Sequence, residues 1–213
     1  MLGVIHRDEE GPFLLNEWLD RIRPDIITLE LSHYGIRFRR ELGEAYKERV
    51  VRIAANRKER GESCNGEALA SLLSYVNIPY EYDRASAYAT EHKIPLYLID
   101  MDFFSYMKLR TIEDLVSDEN IEIMLADMGG TNGHQEMAAA RLYFEKGIKV
   151  AQYDREMYIR DRYMSTKIQD LMNGFKGKKF LHVCGWQHLQ DPSSLYAQFN
   201  PIKVFSHDKT LCL

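Results

Sequence analysis

Ile26-Ile-Thr-Leu-Glu30-Leu31 is a continuous β-branched and apolar run interrupted by a single carboxylate. Runs of this kind belong to strands buried on both faces of a parallel sheet. Toward the N-terminus, Leu14, Leu15, Trp18, Leu19 and Ile22 recur at helical spacing, opened by Gly11-Pro12 and closed by Pro24. Before them, Leu2-Gly-Val-Ile5 is a second short apolar run, ending in His6. Strand, helix and strand make a βαβ unit, and two further runs extend the pattern: Ile94-Pro-Leu-Tyr-Leu-Ile99 and Phe180-Leu-His-Val-Cys184. The fold class expected is α/β, a single domain over 1–213 with a mainly parallel central sheet flanked by helices.

The middle of the chain reads as a helical insertion. Leu42, Tyr46, Val50 and Ile53 mark one face of a charge-rich helix over 36–60, and Leu69, Leu72, Leu73 and Val76 mark another over 65–76. Helices are also expected over 83–92, 106–116, 135–146, 153–174 and 193–199, with an edge strand over 201–205. The stretch 121–128 fits a strand or a helix. Gly129-Gly-Thr-Asn-Gly133 lacks the Lys-Ser/Thr of a phosphate loop, so it reads as an ordinary helix start or a rim loop.

Composition narrows the function classes. Lys and Arg number 28 against 32 Asp and Glu, a net charge of −4, which leaves no basic footprint for nucleic acid or an anionic membrane. No apolar run approaches the roughly 20 residues of a membrane span. The 3 cysteines are far apart and odd in number, which favours reduced thiols and a cytoplasmic setting. The partner expected is a peptide or small-molecule substrate.

In an open parallel sheet, ligands bind at the carboxyl ends of the strands. Here the strand ends carry His6, Glu30, Asp100 to Asp102, and His188, which follows Cys184 in Gly185-Trp-Gln-His188. Both histidines stand in Gly-x-x-His after an apolar run, where a residue without Cβ permits close backbone approach. Two imidazoles with one or two carboxylates suit a divalent transition metal (Mn, Zn or Co) that activates water, with His6, Glu30, His188 and Asp102 as its ligands. Arg160 lies on the stripe of Met157, Met164, Ile168 and Leu171, where a guanidinium must be paired. It reads equally as a structural salt bridge or as a site arginine facing an oxyanion. His182 reads as a hydrogen-bonded core histidine, Cys184 as an apolar filler and Ser32 as a helix cap.

Leu2-Gly-Val-Ile-His6, Arg23-Pro-Asp-Ile-Ile-Thr-Leu-Glu30-Leu31, Arg160-Asp-Arg-Tyr-Met164 and Gly185-Trp-Gln-His188-Leu189 together resemble the TraB/PrgY and Tiki proteins. Those share a broader superfamily with erythromycin esterases and ChaN-like proteins. The resemblance implies an α/β core and, for the Tiki branch, metal-dependent peptide hydrolysis, with His6, Glu30 and His188 at the metal and Arg160 accessory. Asp102 rests on its strand end instead. The chain departs from the pattern at Trp186-Gln187, where small residues are usual, at Ser32, usually acidic, and at Asp161, usually Asn. The function expected is hydrolysis of a peptide, amide or ester bond by metal-activated water, with His6, Glu30, His188 and Arg160 as catalytic residues. The alternatives are a metal-free esterase in which His6 and Glu30 act directly, and a non-enzymatic protein binding a metal complex, haem or peptide.

Overall fold

The computed structural model describes residues 1–6, 8–126, 132–148 and 153–208, with backbone alone for 132–135. The glycine turn at 129–131 lies outside the described residues. Two compact units emerge, one formed by Met1–Leu31, Tyr80–Met101 and Gly133–Leu213, the other by Ser32–Pro79 and Asp102–Asn132.

The first unit holds a five-stranded sheet. Its strands are β1 (Leu2–Val4), β2 (Ile26–Leu29), β3 (Leu96–Leu98), β4 (Phe180–Gly185) and β5 (Val204–Phe205), in the order β3-β2-β4-β1-β5. Every pairing is parallel. The α/β class is therefore as expected. The fourth strand takes the centre: β4 pairs Leu29 with Val183 on one side and Val4 with Gly185 on the other.

Alternation along the strands separates two chemistries. Leu2, Val4, Ile27, Leu29, Leu181 and Val183 face one apolar layer, completed by Leu15, Trp18 and Leu19 of α1 (Gly11–Ile22) and Ala85, Tyr88 and Ala89 of α4 (Tyr80–His92). Thr28 and His182 take the opposite parity and meet in a hydrogen bond. On that side, Met164 and Ile168 of α9 (Arg155–Gly174) pack with Ile99 and Tyr196. Glu30 continues the parity of Thr28, which is why a carboxylate can follow an apolar strand and still face α9. A third layer sets Ala140 of α8 (Asn132–Lys146) against Ile5, Trp186 and Phe205.

The second unit is helical in all its described elements: α2 (His33–Glu59), α3 (Gly66–Val76), α5 (Asp102–Leu109), α6 (Ile112–Leu115) and α7 (Asp118–Ala126). Its core joins Tyr46, Val50, Ile53, Leu72, Val76, Ile112, Ile121 and Leu125. Ser32 does cap α2, its Oγ accepting the Gly35 N–H, so this helix begins three residues before the expected start. The ambiguous stretch resolves to helix through Ala126. The short helix expected over 193–199 is instead a turn and one 3-10 turn at Ala197–Phe199, because Ser194 and Asn200 adopt left-handed backbone. No described helix is long and apolar enough to cross a membrane.

Candidate functional site

Parallel strands send all their carboxyl ends to one edge, and the central position of β4 sets Gly185 between the ends of β1 and β2. His6 follows β1 and Glu30 follows β2, so residues 24 apart in sequence flank one glycine. A Cβ on Gly185 would lie 2.9 Å from His6 Nε2 and 3.4 Å from Glu30 Oε2. A Cβ on Gly3 would meet Leu189 Cδ1 at 2.7 Å and the Trp186 Cα at 3.0 Å. The two Gly-x-x-His motifs are thus mutual: each glycine leaves the space that the other motif occupies. We expect Gly3→Ala to destabilise the protein more than Gly185→Ala, by about 1–3 kcal/mol, because it collides with backbone rather than with the end of a half-exposed ring. Chemical denaturation of the two variants checks the order, and equal midpoints would contradict it.

Glu30 is the hub. Its Oε1 accepts from Arg160 Nη2 at 2.5 Å and lies 2.9 Å from His188 Nε2, while Oε2 accepts the Gly185 N–H at 2.6 Å. Burial raises the carboxyl's pKa, but the charges of His188 and Arg160 outweigh it and hold the group well below the usual range. Arg160 also forks onto Asp100, from Nε at 3.1 Å and from Nη2 at 2.7 Å. Its Nη1 has a looser partner, Glu156 at 3.9 Å. The guanidinium is paired, as its place on a core-facing stripe demands.

His188 is held from both sides. Nδ1 lies 2.5 Å from Asp161 Oδ1, and Nε2 faces Glu30. Asp161 is fully buried and also accepts from the hydroxyls of Tyr196, at 2.8 Å, and Tyr153, at 2.5 Å. Burial disfavours the charged ring, yet the Glu30 charge and the Asp161 hydrogen bond prevail and push its pKa up to about 10. Both carboxylates thus favour the imidazolium form of His188.

His6 differs in being open. Its side chain is 46% exposed, and Nδ1 lies 2.7 Å from Oε1 of Glu81, a buried carboxylate on α4. Desolvation of the ring is again outweighed, here by the Glu81 hydrogen bond and charge, and its pKa rises to about 9. Glu81 Oε2 is buried with no partner among the described residues.

The expected group therefore assembles in part. His6, Glu30, Arg160 and His188 come together in the first unit, whereas Asp102 belongs to the second. β3 stops at Leu98 and α5 starts at Asp102, whose carboxylate accepts the Tyr34 N–H within the second unit. The strand-end carboxylate is Asp100. Glu81 and Asp161 were not foreseen, though each shares its helix's buried face: Glu81 with Ala85 and Tyr88, Asp161 with Met164 and Ile168. The charge-on-an-apolar-stripe criterion that selects Arg160 would also have selected these two. His182 is buried, with Nδ1 3.0 Å from Thr28 Oγ1 and Nε2 without a partner among the described residues, and burial lowers its pKa to about 4. Burial raises the Cys184 thiol, which suits an inert filler.

The donor set as arranged does not fit a divalent ion. A metal-bound imidazole needs a free lone pair, and both His188 nitrogens face carboxylates. Among the described residues, no group of three or more His, Cys, Asp or Glu side chains is placed to hold a metal. Arg160, His188 and His6 interleave, among the described residues, with Glu30, Asp100, Asp161, Glu81 and, more loosely, Glu156, and the His6 ring is half-exposed beside Glu81.

Comparison of the chain with models of known protein families, with curated proteins and with solved structures finds no match.

Proposed function

We propose that the chain is a hydrolase of ester, amide or peptide bonds in which His6 moves the proton and Glu30 orients the attacking water, without a metal. One observation carries this reading: the half-exposed His6 ring, braced at Nδ1 by buried Glu81, presents Nε2 beside Glu30 at the carboxyl edge of a parallel sheet. The pairing of a carboxylate with Nδ1 sets the tautomer that leaves Nε2 to accept a proton. Water held by Glu30 Oε2 attacks the carbonyl carbon, and its proton passes to His6 Nε2. As the carbon–heteroatom bond breaks, the same proton passes to the leaving oxygen or nitrogen. Arg160 Nη1 is the donor with capacity to face the developing oxyanion. The resemblance of the two Gly-x-x-His motifs to the TraB/PrgY–Tiki and erythromycin esterase proteins supports the reaction class, and Asp161 and Trp186-Gln187 are where this chain would differ.

The test is a panel of activated esters, amides and short peptides, assayed before and after exhaustive chelation. We expect turnover that survives chelation and that His6→Ala lowers at least about a hundredfold, the low end of general-base effects. Chelator-sensitive turnover restored by Mn, Zn or Co would overturn the metal-free mechanism in favour of metal-activated water. No turnover on any substrate class would leave a binding protein.

A pH profile examines the dyad separately. Only neutral His6 accepts a proton, so kcat/KM is expected to rise with pH toward an apparent pKa of about 9. Glu81→Gln removes the carboxylate that raises that value, so its ascending limb is expected at lower pH. A limb unmoved by Glu81→Gln would assign the base elsewhere.

A further inference from the structure

We propose that Asp161 is a positioning residue that acts through His188 to fix the Glu30 carboxylate at Gly185, on whose open side His6 lies; the inference rests on the hydrolase reading for its consequence, not for its geometry. Asp161 never reaches the half-exposed ring. It lies behind the site on α9, with no exposed surface, and collects three donors from three parts of the chain. Tyr196 comes from the turn after β4, Tyr153 from just before α9, and His188 from the 3-10 turn Trp186–Gln190 that follows Gly185. Oδ1 is shared by His188 and Tyr196, while Oδ2 is taken by Tyr153.

This arrangement leaves the His188 ring little choice of orientation. A buried carboxylate needs donors and a counter-charge, and His188 is the cation in direct contact with it. With Nδ1–H committed to Asp161, the plane of the ring fixes the opposite N–H, and Nε2 aims at Glu30 Oε1. Glu30 Oε1 is then held by His188 and Arg160 together, and Oε2 by the backbone of Gly185. A carboxylate pinned at both oxygens cannot rotate about its last torsion. Its Oε2 is thereby kept where the missing Gly185 side chain leaves His6 Nε2 room beside it. The Tyr196 hydroxyl, on the same oxygen as His188, helps to hold Asp161 itself, whereas Tyr153 caps the other oxygen, away from His188. Asp161 is thus two contacts removed from any substrate water.

The experiment uses the full chain in two measurements. Proton NMR in water should show a low-field resonance from the His188 Nδ1–H bound to Asp161, assigned by its loss in His188→Gln. Asp161→Asn keeps the shape and an acceptor but removes the charge, so this resonance is expected to move sharply upfield or vanish. On the best substrate of the panel, Asp161→Asn is expected to lower kcat about 10- to 100-fold with KM changed by less than about twofold. Tyr153→Phe, which leaves the His188 contact intact, should keep the resonance and most of kcat. A wild type with no such resonance, or an Asp161→Asn variant that keeps both resonance and kcat, overturns the proposal. Equal losses of kcat in Asp161→Asn and Tyr153→Phe, with the resonance kept in both, overturn it too, since that pattern is general loosening. If no substrate is turned over, the hydrolase reading fails alone, and the resonance still decides whether Asp161 sets His188.

Discussion

Glu30→Ala is expected to destabilise the protein by about 3–5 kcal/mol, the range for removing one partner of a buried ion pair. The substitution deletes little volume. Its cost is electrostatic: Arg160 loses one of its two close carboxylates, His188 keeps only Asp161, and the Gly185 N–H loses its acceptor in the sheet's central strand. An unsatisfied buried backbone donor adds about 1–3 kcal/mol where water cannot reach it. Glu30→Gln is expected to lose less, since the amide oxygen still accepts from one donor. Urea denaturation of the three proteins measures both steps, and the order wild type, Gln, Ala should hold. A Glu30→Ala variant within about 1 kcal/mol of wild type would mean that the contacts around Glu30 contribute little.

That single carboxylate also shows what the amino-acid order makes legible. Glu30 stands out because it breaks an apolar strand, and a charge there must be paired or functional. The strand-end rule then brings His6 and His188 to it, because parallel strands share an edge whatever their order. The order itself was not readable: nothing local in Phe180–Cys184 says that this last long run inserts between β1 and β2. Glu81 was missed because the helix was expected to start at Asp83, which left Glu81, 75 residues from His6, outside its apolar stripe. Asp100 and Asp102 both stood where the apolar run 94–99 gives out, and that run alone did not show that β3 stops at Leu98 and that Asp102 opens α5. The metal expectation counted donor types correctly but not their partners, and Asp161 is the partner that changes the chemistry of His188.

Stability should peak near pH 6.5 and fall on both sides, with the larger loss in alkali. For His188 the folded pKa of about 10 lies above the ordinary 6.5, so the folded state binds more protons between those values. The resulting stabilisation is fully present below pH 6.5 and is lost as pH rises through about 10, on the order of 5 kcal/mol. His6, raised to about 9, adds to the same limb, though its exposed ring is screened by solvent and its share is smaller. His182 has the opposite sign. Its folded pKa of about 4 is below 6.5, so the unfolded chain takes up the extra proton and stability falls as pH drops through that window. Glu30, held low, adds to the loss below about pH 4.5. Because Glu30 and His188 titrate as a pair, their shared stabilisation enters once at each end of the profile rather than as two independent gains. Denaturant midpoints taken at intervals from pH 4 to 10 trace the curve, and His188→Gln should flatten most of the alkaline limb while leaving the His182 limb in place. A wild-type profile level from pH 6.5 to 9 would show that His188 is not held as the imidazolium between Glu30 and Asp161.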